Sequence, residues 1–269
     1  MQIHSQEGTT PLPDAIKRDI KAKYDQVGWG ILSTHHSGSR EAAAQGILSA
    51  SQPGRYWLEH KIETAFTLAA FGKGDRLLEV GCTAGSYTMY LAREGYDVTG
   101  LDISSESIAA AQVVAKDLGL ATAHFMAGDV DNMRDIPDGT FDGVFSFSTL
   151  RYLPDPARSL TEVRRVVRPG ARVVVDFPNK YCPWFEILKF LVGGERHIHD
   201  HTYSTRQVVR MMEAAGFVNV RTKRIIFFAK LFPASLVPLY KLVDYVSERL
   251  PLINQFAGII MCKGEKPAK

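Results

Sequence analysis

Residues 79–86 read EVGCTAGS and follow the apolar run RLLEV, so Gly81 and Gly85 bracket a turn between a strand and a helix. Missing side chains at such positions let backbone N–H groups approach a ligand and permit left-handed dihedrals. The spacing argues against two common phosphate loops. A P-loop carries Lys and Ser or Thr after its last glycine, but Gly85 is followed by Ser86 and Tyr87. A dinucleotide turn reads G-x-G-x-x-G, and here three residues separate Gly81 from Gly85. Thr83 stands between them. A β-branched residue suits a positive φ poorly, so the turn is expected to be shifted or its ligand held differently, with the Thr83 hydroxyl available to a ligand carboxylate.

Two acids add specificity. Asp102 ends the next apolar run, 21 residues after Gly81, where a carboxylate can accept from both hydroxyls of an adenosine ribose. That position serves a nicotinamide dinucleotide or an adenosyl-sulfonium equally well. Asp129, in GDV, follows the third strand and suits an exocyclic adenine amine. Glu79 adds negative charge at a strand end, which favours a cationic sulfonium over a pyrophosphate.

The elements that would position these residues are legible from periodicity. Runs at 76–80, 97–102, 121–128, 141–147 and 171–177 alternate with helical stretches at 84–94, 105–117 and 156–167. Short Val/Leu/Phe runs separated by helices imply βαβ units and a parallel sheet buried on both faces. The class is a doubly wound α/β fold whose ligands sit outside the carboxyl ends of the strands. Upstream, Ile16, Ile20 and Tyr24 form a helical stripe over 13–27, followed by the polar STHHSGSR, expected as a mobile lid. A second amphipathic helix covers 55–71. Downstream, YCPWFEILKFLV reads as an inserted helix and TYSTRQVVRMMEAAGF as a helix capped near Ser204 or Thr205. VNVRTKRIIFFAK reads as a strand, LVPLYKLVDYVSERL as a helix and FAGIIMCKG as a closing strand that can insert antiparallel. The expected organisation is a helical lid over 1–54, a core over 55–180, an inserted cap over 181–203 and the rest of the core over 204–269 with an apolar helical insertion.

EVGCTAG, VTGLDIS, GDV, FDGVFSFSTLRYLPDP and LTEVRRVVRPGARVVV together resemble the class I S-adenosylmethionine-dependent methyltransferases, especially the small-molecule branch that includes ubiquinone and menaquinone biosynthesis enzymes. The resemblance covers residues 55–180 by motif and 200–263 by architecture. It implies a seven-stranded Rossmann-like sheet with an antiparallel last strand and S-adenosylmethionine as cofactor. Gly81 and Gly85 would line its methionine end, with Glu79 beneath. Asp102 would hold the ribose, Ile103 would pack on the adenine, and Asp129 with Val130 would meet the adenine edge. Ser146 and Phe147 would border the cofactor beside the fourth strand. The departure is Thr83, where the family's loop has a glycine.

Acceptor and catalytic candidates lie outside these motifs. His197, His199 and His201 in RHIHDH alternate, so on an extended segment they share one face and could bind metal, act as a general base, or simply be solvated. His199 and His201 are the candidate bases for an acceptor hydroxyl; no metal is expected. Tyr24 either belongs to the apolar stripe or turns its ring or hydroxyl to the sulfonium. Trp29, His35 and His36 share its segment, while Arg151 and Tyr152 follow the fourth strand, where side chains project toward a substrate. The apolar segments 181–192 and 225–246 could pack the core, line a pocket for a greasy acceptor, or face a membrane surface.

Composition fits this reading. The chain is 45% hydrophobic and 23% charged, and its net charge of +3 is too small to argue for nucleic acid. Cys82, Cys182 and Cys262 are far apart, which suggests neither a disulfide framework nor a zinc site and fits a reducing cytoplasm. No secretory leader or long apolar span is evident. The expectation is a cytoplasmic O-, C- or N-methyltransferase for a small hydrophobic acceptor, O-methylation favoured, with peripheral membrane contact open. A protein of this fold without methyl transfer and an NAD-dependent oxidoreductase are the alternatives.

Overall fold

The computed structural model describes residues 13–36, 52–183, 201–227 and 233–268. Seven strands form one sheet: β1 (Arg76–Val80), β2 (Asp97–Asp102), β3 (Ala123–Ala127), β4 (Phe141–Ser146), β5 (Val167–Pro178), β6 (Val218–Ile225) and β7 (Ile259–Glu265). Their order is β3-β2-β1-β4-β5-β7-β6. The first five run parallel, and β7 inserts antiparallel between β5 and β6. Strand order reverses between β1 and β4, the switch point where doubly wound sheets open a crevice.

Eight helices accompany the sheet among the described residues: α1 (Pro13–His36), α2 (Gln52–Ala69), α3 (Ser86–Arg93), α4 (Ser105–Asp117), α5 (Pro156–Val166), α6 (Thr205–Ala214), α7 (Val237–Ser247) and α8 (Pro251–Asn254). Their starts are written locally. Ser104 accepts from the Ser107 amide to cap α4. Asp155 accepts from Ala157 and Arg158, with Pro156 in the first turn of α5, and Ser204 and Gln207 form a reciprocal capping box on α6.

Alternating side chains divide two cores across the sheet. Leu78, Val144, Val173 and Val175 meet Leu160 and Val163 of α5 and Val208 and Met212 of α6 on one face. Leu77, Phe145 and Val174 meet Leu58, Ile62 and Ala65 of α2 on the other. Each fully buried large side chain contributes ~1.5–3 kcal/mol, so the central strands are fixed by both layers at once.

α1 continues through GWGILSTHH instead of stopping near residue 27, so the start of the expected polar lid is helical. Gly28 permits this: a Cβ there would collide with the backbone of Glu106 and Ser107, so the helix crosses the start of α4 at a distance only glycine allows. The Ser107 hydroxyl donates to the Tyr24 carbonyl, and the Ser104 hydroxyl donates to Asp25. Residues 184–192 of the helix expected over 181–192, together with His197 and His199, lie outside the described residues.

α7 is built inside out. Its inward side carries Tyr240 and Asp244, with Glu248 just past its end, and no leucine. Asp244 accepts from the Tyr56 hydroxyl at 2.6 Å and the Phe227 amide at 2.8 Å. Glu248 lies 2.6 Å from His60 Nε2 and accepts from the Ile226 amide at 3.3 Å. Tyr56 and His60, one turn apart on α2, thus bind two acids one turn apart at the end of α7. No described helix is long and apolar enough to cross a membrane.

Candidate active site

The glycine-flanked loop closes over the carboxyl end of β2. The amides of Gly81 and Cys82 both donate to the Leu101 carbonyl, at 2.7 and 3.1 Å. Residues 81, 83 and 85 alternate into the left-handed region, with φ of 76°, 50° and 83°. The turn is therefore not shifted around Thr83. The threonine takes the conformation a glycine would adopt, and its amide donates to Asp102 Oδ2 at 2.8 Å. The other carboxylate oxygen accepts from Ser104 at 2.9 Å. Burial raises the Asp102 carboxyl above its ordinary range, and the Ser104, Thr83 and Ile103 amides pull it back.

A cavity of about 160 Å³ opens beside this carboxylate. Gly81, Thr83, Asp102, Ile103, Asp129, Val130 and Phe147 all line it, which brings together motifs spread over 67 residues (81 to 147 inclusive). Tyr24 and Ile20 of α1 and Tyr152 and Leu153 after β4 complete its apolar walls. Thr149 stands so close to Gly81 that a Cβ there would collide with its side chain. A glycine is thus needed for the loop to lie against the segment after β4.

Several expected residues sit elsewhere. Glu79 is buried, does not line the cavity, and accepts from the Thr88 hydroxyl at 2.5 Å. Burial pushes its carboxyl up to about 7, although Thr88 opposes the shift. Gly85 faces away: a Cβ there would meet the Phe125 ring and Ala111, so that glycine serves helix packing. The Ser146 hydroxyl is buried and donates to the Val80 carbonyl at 2.8 Å, which spends it inside the sheet. Trp29 is 56% exposed and absent from the cavity wall. Arg151 is also absent from that wall; its guanidinium lies 5.3 Å from the Tyr152 ring centre. Tyr24 does reach the cavity, but burial and the neighbouring Tyr152 raise its phenol far above neutrality, so it stays protonated and cannot serve as a base. His201 is exposed, and its amide donates to the Arg151 carbonyl at 3.2 Å, which ties it to the turn bearing Tyr152.

Lys17, Ile20, Ser148, Thr149 and Leu153 also line the cavity, although the sequence motifs assign none of them to the site. Lys17 was within reach, because Lys17, Ile20 and Tyr24 form a helical stripe that overlaps the one through Ile16. Lys17 Nζ lies 2.7 Å from Asp129 and 2.5 Å from Asp131, so α1 is pinned to the end of β3. Ser148 has a left-handed φ of 58°. Its amide donates to Asp176, its hydroxyl accepts from Lys61 at 2.8 Å, and Lys61 Nζ sits 2.6 Å from Asp176 Oδ2. That last contact is an ion pair at a poor hydrogen-bond angle, and Oδ2 has no directed partner among the described residues. A separate group of possible ligands, His60, Asp244 and Glu248, is the helix lock described above.

The donor set can be tested against candidate ligands. Among the described residues two carboxylates line the cavity, and the one lysine there, Lys17, is already paired with acids, an arrangement hostile to a pyrophosphate. The amides that meet Asp102 do not use all of its lone pairs, so the carboxylate can still accept from a ribose hydroxyl. Ile103, Val130 and Leu153 offer an apolar slot for a purine, and Gly81 lines the same cavity. These features fit an adenosyl-sulfonium.

Residues 78–175 match the methyltransferase domain family. The chain is 30% identical over 167 residues to the ubiquinone biosynthesis O-methyltransferase of Aeromonas salmonicida, covering 59% of this chain and 68% of that one. The chain belongs to the class I S-adenosylmethionine-dependent methyltransferases. Its identity to the ubiquinone biosynthesis O-methyltransferase of Pectobacterium atrosepticum is 33% over 149 residues, 54% of this chain and 61% of that one. In fold, the methyltransferase resembles magnesium protoporphyrin IX methyltransferase from Synechocystis with bound S-adenosylhomocysteine. There the TM-score is 0.63 at 14% identity, over 93% of this chain and 99% of the other. S-adenosylmethionine is the methyl donor, and the seven-stranded sheet with its antiparallel last strand is the family's own.

Proposed function

We propose that this methyltransferase O-methylates a small, apolar phenolic acceptor. The carrying observation is the cavity, whose lining combines two strand-end carboxylates, Asp102 and Asp129, with three aromatic side chains, Tyr24, Phe147 and Tyr152. The names of the Aeromonas and Pectobacterium relatives supply the O-methyl chemistry. In this reading Asp102 accepts from the ribose hydroxyls, Ile103 and Val130 hold the adenine, and Asp129 meets its amine while anchored by Lys17. Gly81 and Thr83 border the methionine end.

When bound, the cofactor supplies an electrophilic methyl on a cationic sulfur. The chain's own contribution is alignment and exclusion of water, to which α1 adds the wall residues Ile20 and Tyr24. The aromatic faces of Tyr24 and Tyr152 stabilise positive charge beside them. A phenol must lose its proton as its oxygen attacks. Tyr24 is unsuited to accept it, so we assign that task to His201, beside the Tyr152 turn, with His199 the second candidate. An acceptor of this kind partitions into bilayers, and peripheral membrane contact belongs to the same reading.

Calorimetric titration of S-adenosylmethionine, S-adenosylhomocysteine and NAD into the wild-type protein and Asp102→Ala tests the cofactor end. The expected result is binding of both sulfur ligands, weakened by the substitution, and no heat with NAD. Turnover of a catechol panel by wild type and His201→Ala then tests the acceptor end. Loss of at least ~10-fold in kcat with unchanged cofactor affinity supports the histidine, and unchanged kcat removes it.

A further inference from the structure

Asp244 of α7 and Glu248 just past its end are turned inward, as described above, which leaves the opposite stripe of that helix to solvent. That stripe is apolar. Leu242 is 59% exposed and Tyr245 60%, with Leu239 and Val246 beside them at helical spacing. The apolar surface continues on α8, where Leu252 is 80% exposed and Phe256 follows. An ordinary surface helix has the reverse arrangement, and contiguous exposed apolar patches of this kind mark interaction sites.

The charges identify the occupant. Residues 233–258 contain four charged side chains; the two acids point inward, and the exposed pair, Lys241 and Arg249, is positive. The Arg249 guanidinium lies 3.6 Å from the Tyr245 ring centre, an amphipathic aromatic beside a cation. A self-associated dimer through this face would set cations on both copies with no exposed acid in the segment to pair them. An anionic lipid surface satisfies both features: apolar side chains enter the headgroup boundary and the cations meet lipid phosphates.

Topology gives the contact a use. β6 runs parallel to β5, because each is antiparallel to β7. The excursion through α7 and α8 therefore leaves and rejoins the sheet at its carboxyl edge, where the cavity opens. Asn179, just past β5, donates to the carbonyls of Gln255 and Ala257 and ties the end of α8 to that edge.

We propose that the α7–α8 face docks the protein on an anionic membrane surface, with the cavity edge turned toward the bilayer. The docking rests on the exposed face alone; its role in collecting an apolar acceptor rests on the reading above. The test is co-flotation of the full-length protein with phosphatidylcholine vesicles with and without phosphatidylglycerol. Wild type should float with the anionic vesicles, and added salt should weaken this. Leu242→Glu with Leu252→Glu should reduce binding at least ~10-fold, as should Lys241→Glu with Arg249→Glu, both with unchanged S-adenosylmethionine affinity. Retained cofactor affinity shows that each variant is folded. Equal binding by both variants and wild type, or no flotation of wild type, overturns the docking. So does a concentration-dependent dimer in sedimentation that the leucine variant abolishes, since the face would then belong to a second copy. Flotation without cofactor binding would instead leave the docking standing and remove the methyltransferase reading of the cavity.

Discussion

The two halves of the sheet's carboxyl edge hold their acids in opposite ways. Over β2 and β3, Asp102 is met by the amides of Thr83 and Ser104 and lies against a cavity, and Asp129 is one-third exposed. Over β5 and β6, Asp176 faces a buried lysine, while Asp244 and Glu248 are matched to Tyr56, His60 and two amides. Amides that each occupy one lone pair leave a carboxylate able to accept more, and the cavity gives a ligand access to it. A carboxylate sealed beside a buried ammonium or phenol has no such access and acts on the chain itself. The difference separates ligand-facing acids from structural ones more sharply than burial does, since Asp102 is itself only 7% exposed.

The largest effect should come from breaking the structural half. Lys61→Met strips the counter-charge from Asp176, and both side chains are only 2% exposed. Leaving one charge of a buried pair uncompensated costs ~3–5 kcal/mol, to be read from urea unfolding. Lys61→Met combined with Asp176→Leu should recover part of that loss, because no buried charge remains. If the double variant is as unstable as the two single losses summed, the pair contributes nothing specific.

Glu79, on β1 between the halves, should behave as structural. Its folded carboxyl sits at about 7 against an ordinary 4.5. The native state therefore holds a proton that the unfolded state releases between those values. Stability from this group is fully present below pH ~4.5 and is lost as pH rises through ~7, by at most ~3 kcal/mol. Glu79→Gln should flatten the thermal stability profile across that window; an unchanged slope would mean that the charge is accommodated.

Asp102→Asn probes the ligand-facing half. Burial already disfavours the Asp102 charge, so global stability should move by no more than ~1 kcal/mol. The ribose hydroxyls would lose a charged acceptor worth ~1.5–3 kcal/mol, roughly a 10- to 100-fold drop in S-adenosylmethionine affinity by calorimetry. A reversed outcome, with stability lost and affinity kept, would assign Asp102 to the structural class.

These contrasts also mark what the sequence could carry. β1, β2 and α4 were legible to the residue because apolar runs ended in Gly, Asp or Ser at the expected spacing. Gly81, Asp102 and Asp129 were legible because strand ends of a doubly wound sheet converge at the switch point, whereas Ile103 and Phe147 came only through the family resemblance. Side-chain direction was not. Glu79, Gly85 and Ser146 sit in the right motifs and turn the other way, which depends on Thr88, Phe125 and Val80 across the fold. Lys61 with Asp176 escaped notice for the same reason, being partners 115 positions apart (176 − 61). α7 reads as a helix in an apolar segment, but which side faces inward is settled by Tyr56 and His60 on a distant helix.

The smallest predicted effect concerns Thr83, where conformation and contact can be separated. A non-glycine residue in the left-handed region costs ~1–2 kcal/mol. Glycine removes that strain but loses ~0.4–1 kcal/mol through greater freedom when unfolded. Thr83→Gly should therefore stabilise the protein by ~1 kcal/mol or less in urea unfolding. The amide that serves Asp102 belongs to the backbone and survives the change, so the ribose end should be untouched. S-adenosylmethionine affinity then reports on the side chain alone. A change within ~3-fold would make Thr83 a tolerated strain in a glycine's place, while a loss beyond ~10-fold would mean that its hydroxyl binds the methionine end. The second result would extend the ligand-facing half of the edge from carboxylates to the loop itself.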